Sequence, residues 1–125
     1  MALEGVGDLG TRMAQIIKNA KKALEVAVYQ EALGVQKTSM NLTPVLTGAL
    51  RGSHETHRPE YGPDGLVVRV TVGGPAAPYA LYVHENLDAR HENGQAKFLE
   101  YAVLAHQPDF VANVAKRLSA AWGNL

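Results

Sequence analysis

From Asp8 onward the apolar residues Leu9, Met13, Ile16, Ile17, Ala20, Leu24, Ala27, Val28, Ala32 and Val35 recur at i, i+3, i+4 and i+7. That spacing places them on one face of a helix. Lys18, Lys22 and Glu25 fall opposite, on the wet side. Asp8 can cap the first turn, where its charge suits the helix N-terminus, and Thr11 is the other candidate cap. Each large apolar side chain buried along the stripe contributes about 1.5 to 3 kcal/mol. The pattern predicts a long helix pinned along one stripe. Gly34 weakens it by about 1 kcal/mol relative to Ala, so its end is expected to fray between there and Met40. Asn41-Leu-Thr-Pro then stops it, because Pro44 pushes Thr43 away from helical dihedrals.

The next stretch changes period. Thr47-Gly-Ala-Leu-Arg-Gly-Ser reads as a turn leading into extended chain, and from Ser53 to Arg58 every side chain is polar on both faces. Such a strand suits a sheet edge or a subunit contact. Gly62-Pro-Asp-Gly places Pro and Gly where a type I turn prefers them and predicts a hairpin. On the returning strand Leu66, Val68, Val70 and Val72 share one face, with Arg69 and Thr71 on the other. The long helix is the obvious cover for that apolar face. Gly73-Gly-Pro-Ala-Ala-Pro ends the strand.

Tyr79 to Glu85 fits two patterns. A helix would pair Tyr79 with Tyr82 and Val83, whereas a strand would pair Tyr79, Leu81 and Val83. Phe98, Tyr101, Ala102 and Ala105 then share a helical face with Leu99 and Val103 beside them, a helix apolar nearly all round and expected to be buried. Pro108 suits the start of a further helix, whose stripe is Phe110, Val111, Val114, Leu118 and Trp122 and whose stop is Gly123. The fold class expected is α+β, a single domain over 1–125 in which the long N-terminal helix and the C-terminal helices pack on a small antiparallel hairpin-based sheet.

A chain of 125 residues fits one core. Twelve Lys and Arg balance twelve Asp and Glu, so no global field draws in nucleic acid or an acidic membrane surface. Without cysteine there is no disulfide framework, thiolate nucleophile or zinc ribbon. The first residues have no basic region followed by an apolar run of signal length, and no segment reaches the roughly 20 apolar residues that span a bilayer. A soluble protein made in a cytoplasm is the expectation.

The stretch from Tyr79 to Leu99 carries the candidate chemistry, with aromatic anchors at its ends and a middle rich in Asn, Asp, His and Gly. His84, Asp88 and His91 would stack along one helical face at i, i+4 and i+7, and imidazole and carboxylate suit zinc or another transition metal. A small metal-dependent hydrolase is therefore the alternative reading. Against it, Asn86 and Asn93-Gly94 interrupt the run and the zincin H-E-x-x-H pattern is absent. His54 and His57, three apart on a strand, point to opposite faces and do not share a ligand. None of Ser39, Ser53 and Ser119 sits in a nucleophile elbow. Glu55, Glu60, Glu85 and Glu92 are the solvated carboxylates expected of a chain this size. Gly73-Gly74 lacks the continuation of a phosphate loop, and Pro75 and Pro78 remove amides such a loop needs. No catalytic residue, cofactor or metal is expected.

Thr43-Pro-Val-Leu-Thr-Gly-Ala-Leu-Arg, a hairpin, Tyr79-Ala-Leu-Tyr-Val-His-Glu and Ala96-Lys-Phe-Leu-Glu-Tyr-Ala follow one another in an order that resembles the tail-completion, or minor tail, proteins at the neck of tailed bacteriophages. The resemblance covers nearly the whole chain. Its motif residues are Thr47, Gly48, Leu50, Arg51, Tyr79, Tyr82, Val83, Phe98 and Leu99. Many members follow the glutamate with Gly-Thr, where this chain has Glu85-Asn86-Leu87. The resemblance implies an α+β ring subunit without catalysis that joins head to tail, a homo-oligomer of six- or twelve-fold symmetry. Its implied partners are neighbouring neck, portal or adaptor and tail proteins, with DNA passing through the channel without sequence-specific binding, no membrane, and a place in the virion after synthesis in the host cytoplasm. Glu85, Asn86, Asp88, Arg90, His91, Glu92 and Gln95 on the loop, with His54, Glu55 and His57 on the polar strand, are the residues expected to meet partners. The loop would then be a polar arm held out between two core anchors.

Overall fold

The computed structural model describes residues 6–44, 48–74, 80–85 and 97–124. Its first element, α1, is one helix from Val6 to Leu42. It runs through Gly34 without a break. The tertiary contact explains this: a β-carbon at Gly34 would meet Cε1 of His106 at 3.4 Å, so the glycine is where a second helix comes close. Packing of this kind outweighs a propensity deficit of about 1 kcal/mol. The helix stops at Leu42, ahead of Pro44, and Thr43 turns its hydroxyl back to the Ser39 carbonyl at 2.6 Å.

Gly48 follows at φ 83°, a left-handed conformation that a side chain would strain, and starts α2, the single turn Ala49–Gly52. Ser53 caps it, its hydroxyl donating to the Leu50 carbonyl at 2.6 Å and accepting the Gly73 amide at 2.9 Å. The end of the hairpin is thereby tied to its beginning. The hairpin comprises β1 (Glu55–Thr56), β2 (Glu60–Gly62), β3 (Gly65–Val67) and β4 (Val70–Thr71), with β1 antiparallel to β4 and β2 antiparallel to β3. Gly62 pairs with Gly65 across the Pro63-Asp64 turn, as the sequence predicts.

The ladder is not continuous, however. Glu55 and Thr56 pair with Thr71 and Val70, Glu60 pairs with Val67, and between them residues 57–59 lie against only two residues, 68–69. This is a bulge with Pro59 inside it, where a missing amide costs the ladder least. The amide of His57 still reaches the Arg69 carbonyl at 2.8 Å. Through the interruption Leu66, Val68, Val70 and Val72 remain half-buried while residues 67, 69 and 71 stay exposed. The period-two reading of this strand therefore holds.

Ala80–Glu85 is helical, α3, which decides between the two patterns that fit this stretch. The last helix, α4, runs from Phe98 to Ala121 as one element, followed by a 3-10 turn over Trp122–Asn124. Pro108 lies inside it and does not begin a new helix. The proline lacks the amide that would bond the Leu104 carbonyl. Pro108 and Leu104 both face solvent, so water can take that carbonyl.

The two long helices are antiparallel. Thr38 hydrogen-bonds Nε2 of His106 at 2.7 Å, Asn113 donates to Glu31 at 3.3 Å, and Arg117 donates to Glu31 at 2.7 Å and to Gln30 at 3.0 Å. Ala32, between these polar rungs, and Ala27, one turn before them, are buried to 1% and 2% exposure. A small core closes the other end, where Leu50, Ala80 and Phe98 are buried with Leu42, Val72 and Leu99 packed around them. The architecture is α+β, long N-terminal and C-terminal helices with small antiparallel hairpin strands.

Two expectations about burial fail. The stripe of α1 is buried only in its C-terminal half, whereas Leu9, Met13, Ile16 and Ile17 are 46–59% exposed. At about 1.5 Å per residue, α1 is about 55 Å long and α4 about 36 Å, so the shorter helix leaves the first turns of the longer one uncovered. Nor is α4 buried all round. Phe98 and Ala102 are enclosed, but Tyr101, Val103, Leu104, Val111 and Trp122 are all about half exposed or more. One partner helix covers one side of α4, and its opposite side is left to solvent.

Candidate functional site

Three of the residues singled out by the sequence, His54, His84 and Phe98, meet at the start of α4. Phe98 is fully enclosed, its ring 4.9 Å from that of His84 in an edge-to-face arrangement and 5.9 Å from that of His54. His84 comes from α3 and His54 from the segment just before β1. Phe98 is thus the point where three parts of the chain are fastened together.

Beside this ring the end of α3 is tied to the residue before α4. Lys97 takes a left-handed conformation, φ 57°, as the residue before α4, and its amide donates to the His84 carbonyl at 2.6 Å. Its ammonium pairs with the Glu85 carboxylate and lies 3.7 Å from that of Glu100. Nδ1 of His84 donates to Glu85 at 2.9 Å, while Nε2 accepts the Glu100 amide at 3.4 Å. This network places the ring proton on Nδ1. The hydrogen bonds from Lys97, and secondarily from His84, hold the Glu85 carboxyl below its ordinary value. The same bond with Glu85 raises the Lys97 ammonium. All these groups reach solvent, so the pairing adds little to the stability of the fold.

His54 makes a different set of bonds. It is 8% exposed, donates from Nδ1 to the Arg51 carbonyl at 2.9 Å, and accepts at Nε2 from the Ser39 hydroxyl at 2.7 Å. Burial dominates its titration and pushes the imidazole below its ordinary value, with the Arg51 charge adding to the effect and backbone bonds opposing it. A serine against a histidine has the form of a nucleophile and its base. Here Ser39 is completely enclosed on α1, so no substrate atom can reach it. The pair is a buried hydrogen bond between helix and strand.

The polar strand is explained by this pairing. One turn before Ser39, Gln36 accepts the Thr56 hydroxyl at 2.5 Å, and Thr56 is buried like His54. His54 and Thr56, two apart on the extended chain, face Ser39 and Gln36, three apart on α1. Strand residues two apart share a face, as do helix residues three apart. The strand reads as polar on both faces because its inward face meets a polar stretch of the helix. His54 is therefore turned away from the surface where partners were expected. Glu55 and His57 are outward, with side chains 69% and 42% exposed, and His57 meets the Thr71 hydroxyl at 2.7 Å. The helical positions Gln36 and Ser39 carried the signal for this contact, since they interrupt the apolar stripe next to Val35.

Among the motif residues, Leu50 is buried at 4% exposure and Leu99 packs beside Phe98. Arg51 is half-buried, and its Nε finds no partner among the described residues. Tyr82 and Val83 belong to α3. Thr47, Tyr79, Asn86, Asp88, Arg90, His91, Glu92 and Gln95 lie outside the described residues. The proposed metal set of His84, Asp88 and His91 is thus described only at His84, whose two ring nitrogens already have partners. Among the described residues no group of three His, Asp or Glu side chains could hold a metal ion, and no helix is long and apolar enough to cross a membrane.

Comparison of the chain with models of protein families, with curated proteins and with solved structures finds no match.

Proposed function

We propose that this chain is a structural subunit of a bacteriophage head-to-tail connection, a neck or tail-completion protein that assembles into a ring around the DNA channel. Neighbouring portal or adaptor and tail proteins would be its partners, DNA would pass without sequence-specific binding, and the role would be mechanical instead of catalytic. The motif order gives the reading its identity.

One structural observation supports it. A 37-residue helix presents Leu9, Met13, Ile16 and Ile17 to solvent, and the outer side of α4 presents Tyr101, Leu104 and Val111. Contiguous exposed apolar surface marks sites of protein association. The contacts of Lys97 with His84 and Glu85 suit the same role, since they tie the end of α3 to the start of α4 beside Phe98. The hydrolase reading gains nothing comparable, because Ser39 and His54 are enclosed and His84 is engaged.

Light scattering with negative-stain electron microscopy tests the proposal, on the purified chain and on the chain mixed with heads and tails. A ring, or incorporation at the neck, is the result expected. A chain that stays monomeric in every mixture would overturn the reading.

A further inference from the structure

The hairpin has one open edge. The Arg69 carbonyl accepts the His57 amide at 2.8 Å, so the odd-numbered residues of 65–71 turn their backbone groups toward the paired strand. Alternation turns those of Leu66, Val68 and Val70 the other way, and among the described residues no backbone partner meets them there. From Gly65 to Thr71 this edge has no proline and a single charge, Arg69. The opposite edge carries Pro59 and the bulge, devices that keep a strand from pairing further. The outer face of the open strand also presents Val67, 44% exposed. Neither Arg69 nor Asp64, at the turn, has an ion pair among the described residues.

The charges select how this edge can meet a copy of itself. Antiparallel self-pairing joins outward-turned residues to one another. A two-fold axis at Arg69 sets that residue against its own copy, and an axis at Val68 sets the two arginines on a diagonal, with like charges close in both. An axis at Val67 separates the arginines by four residues, about 13 Å at about 3.3 Å per residue. It joins Leu66 to Val68 of the second copy in two symmetric pairs, brings Val67 against its own copy, and sets Arg69 against Gly65 beside the Asp64 carboxylate. Glu60, the neighbour of Val67 on β2, is then three strand spacings, about 14 Å, from its copy, beyond the screening length of about 10 Å.

We infer that the 65–71 edge pairs with the same edge of a second copy about a two-fold axis at Val67, joining two hairpins into one four-stranded antiparallel sheet. A hairpin of two strands is marginal by itself, and the pairing satisfies the open row of amides and carbonyls. The contact is isologous and makes pairs, so it goes beyond the proposed ring and is tested apart from it.

Sedimentation equilibrium and amide hydrogen exchange on the whole chain test the pairing. Wild type is expected to form dimers in which the Leu66 and Val68 amides become protected. Val67→Glu sets two carboxylates face to face at a position that is exposed in the single chain. It is expected to weaken dimerisation by about tenfold or more with an unchanged melting curve. Arg69→Glu and Asp64→Lys each bring like charges together and are expected to weaken it in the same way. A one-to-one mixture of these two variants is expected to recover wild-type dimerisation, because the two altered charges then face each other and so do the two native ones.

A wild type that stays monomeric at millimolar concentration would overturn the inference. Association that Val67→Glu leaves intact would also overturn it, and rings that survive this variant would leave the assembly proposal standing. Failure of the mixture to recover, with each variant weakened alone, would show that Arg69 and Asp64 do not meet across copies and would overturn the pairing. Protection of Leu66 and Val68 that appears only when heads or tails are added would assign the edge to a strand of another protein and overturn it as well.

Discussion

His84 and Phe98 meet edge to face, with ring centroids 4.9 Å apart and planes at 84°. The contact joins α3 to the first residue of α4 in a small core where Phe98 is fully enclosed. Truncating so central a side chain removes its transfer free energy and leaves a cavity that α1, α2 and α3 cannot all close. Phe98→Ala is expected to destabilise the chain by about 3 to 5 kcal/mol. Urea denaturation gives the value directly, and a loss under 1 kcal/mol would show that the fold does not depend on this anchor.

Ser39 contributes a buried hydroxyl whose removal leaves Nε2 of His54 without a donor. Ser39→Ala is expected to cost about 1 to 3 kcal/mol, the penalty for a buried polar atom left unpaired. Ser39→Thr would keep the hydroxyl and so separates the lost bond from crowding at an enclosed position.

The titration of the same histidine gives a pH dependence of definite sign. Burial lowers the folded-state value of His54 below that of the unfolded chain. Below the ordinary imidazole value the unfolded chain therefore holds more protons, and unfolding takes them up. Stability is expected to be complete above about pH 6.5 and to fall as the pH drops through the folded-state value. His54→Gln should flatten this limb relative to wild type. Urea midpoints measured between about pH 5 and 8 would show it, and parallel curves for the two proteins would remove His54 as the cause.

These two residues also show what the sequence can and cannot tell. The long helix, the Gly62–Gly65 turn and the half-buried row Leu66, Val68, Val70 and Val72 were legible because each rests on a local period. The destination of His54 was not, because it depends on which polar residues of α1 lie opposite, and Ser39 is fifteen residues away. Gly34 misleads for the same reason: propensity counts its cost, while the close approach of His106 that uses it lies on another helix. The exposed stripes on α1 and α4 are the reverse case, since period identifies the apolar face and only the packing tells how much of it is covered.

Glu31 is nearly buried on α1, and its carboxylate is met by Arg117 at 2.7 Å and Asn113 at 3.3 Å, both from α4. Arg117 is itself 45% exposed, so solvent screens the pair and its net contribution is modest. Removing one partner is the more informative change, because it leaves the other in a poorly hydrated place. Arg117→Ala is expected to cost about 1 to 3 kcal/mol, and adding Glu31→Gln to recover part of it. A double mutant cycle measures the coupling, and strict additivity would show that the two residues act independently.

Pro108 gives a prediction of opposite sign. It stands in the middle of α4, on the exposed row with Leu104 and Val111, and it removes one backbone hydrogen bond from the helix. Proline in a helix interior is unfavourable by about 3 kcal/mol relative to alanine, less whatever water recovers at the freed carbonyl. Pro108→Ala is therefore expected to raise stability by about 1 to 3 kcal/mol, read as a higher urea midpoint. Alanine keeps the row apolar, so self-association should survive the change. A lower midpoint would mean that the fold depends on the conformation proline imposes on α4. Higher stability with lost association would instead assign that conformation to the exposed apolar side of α4.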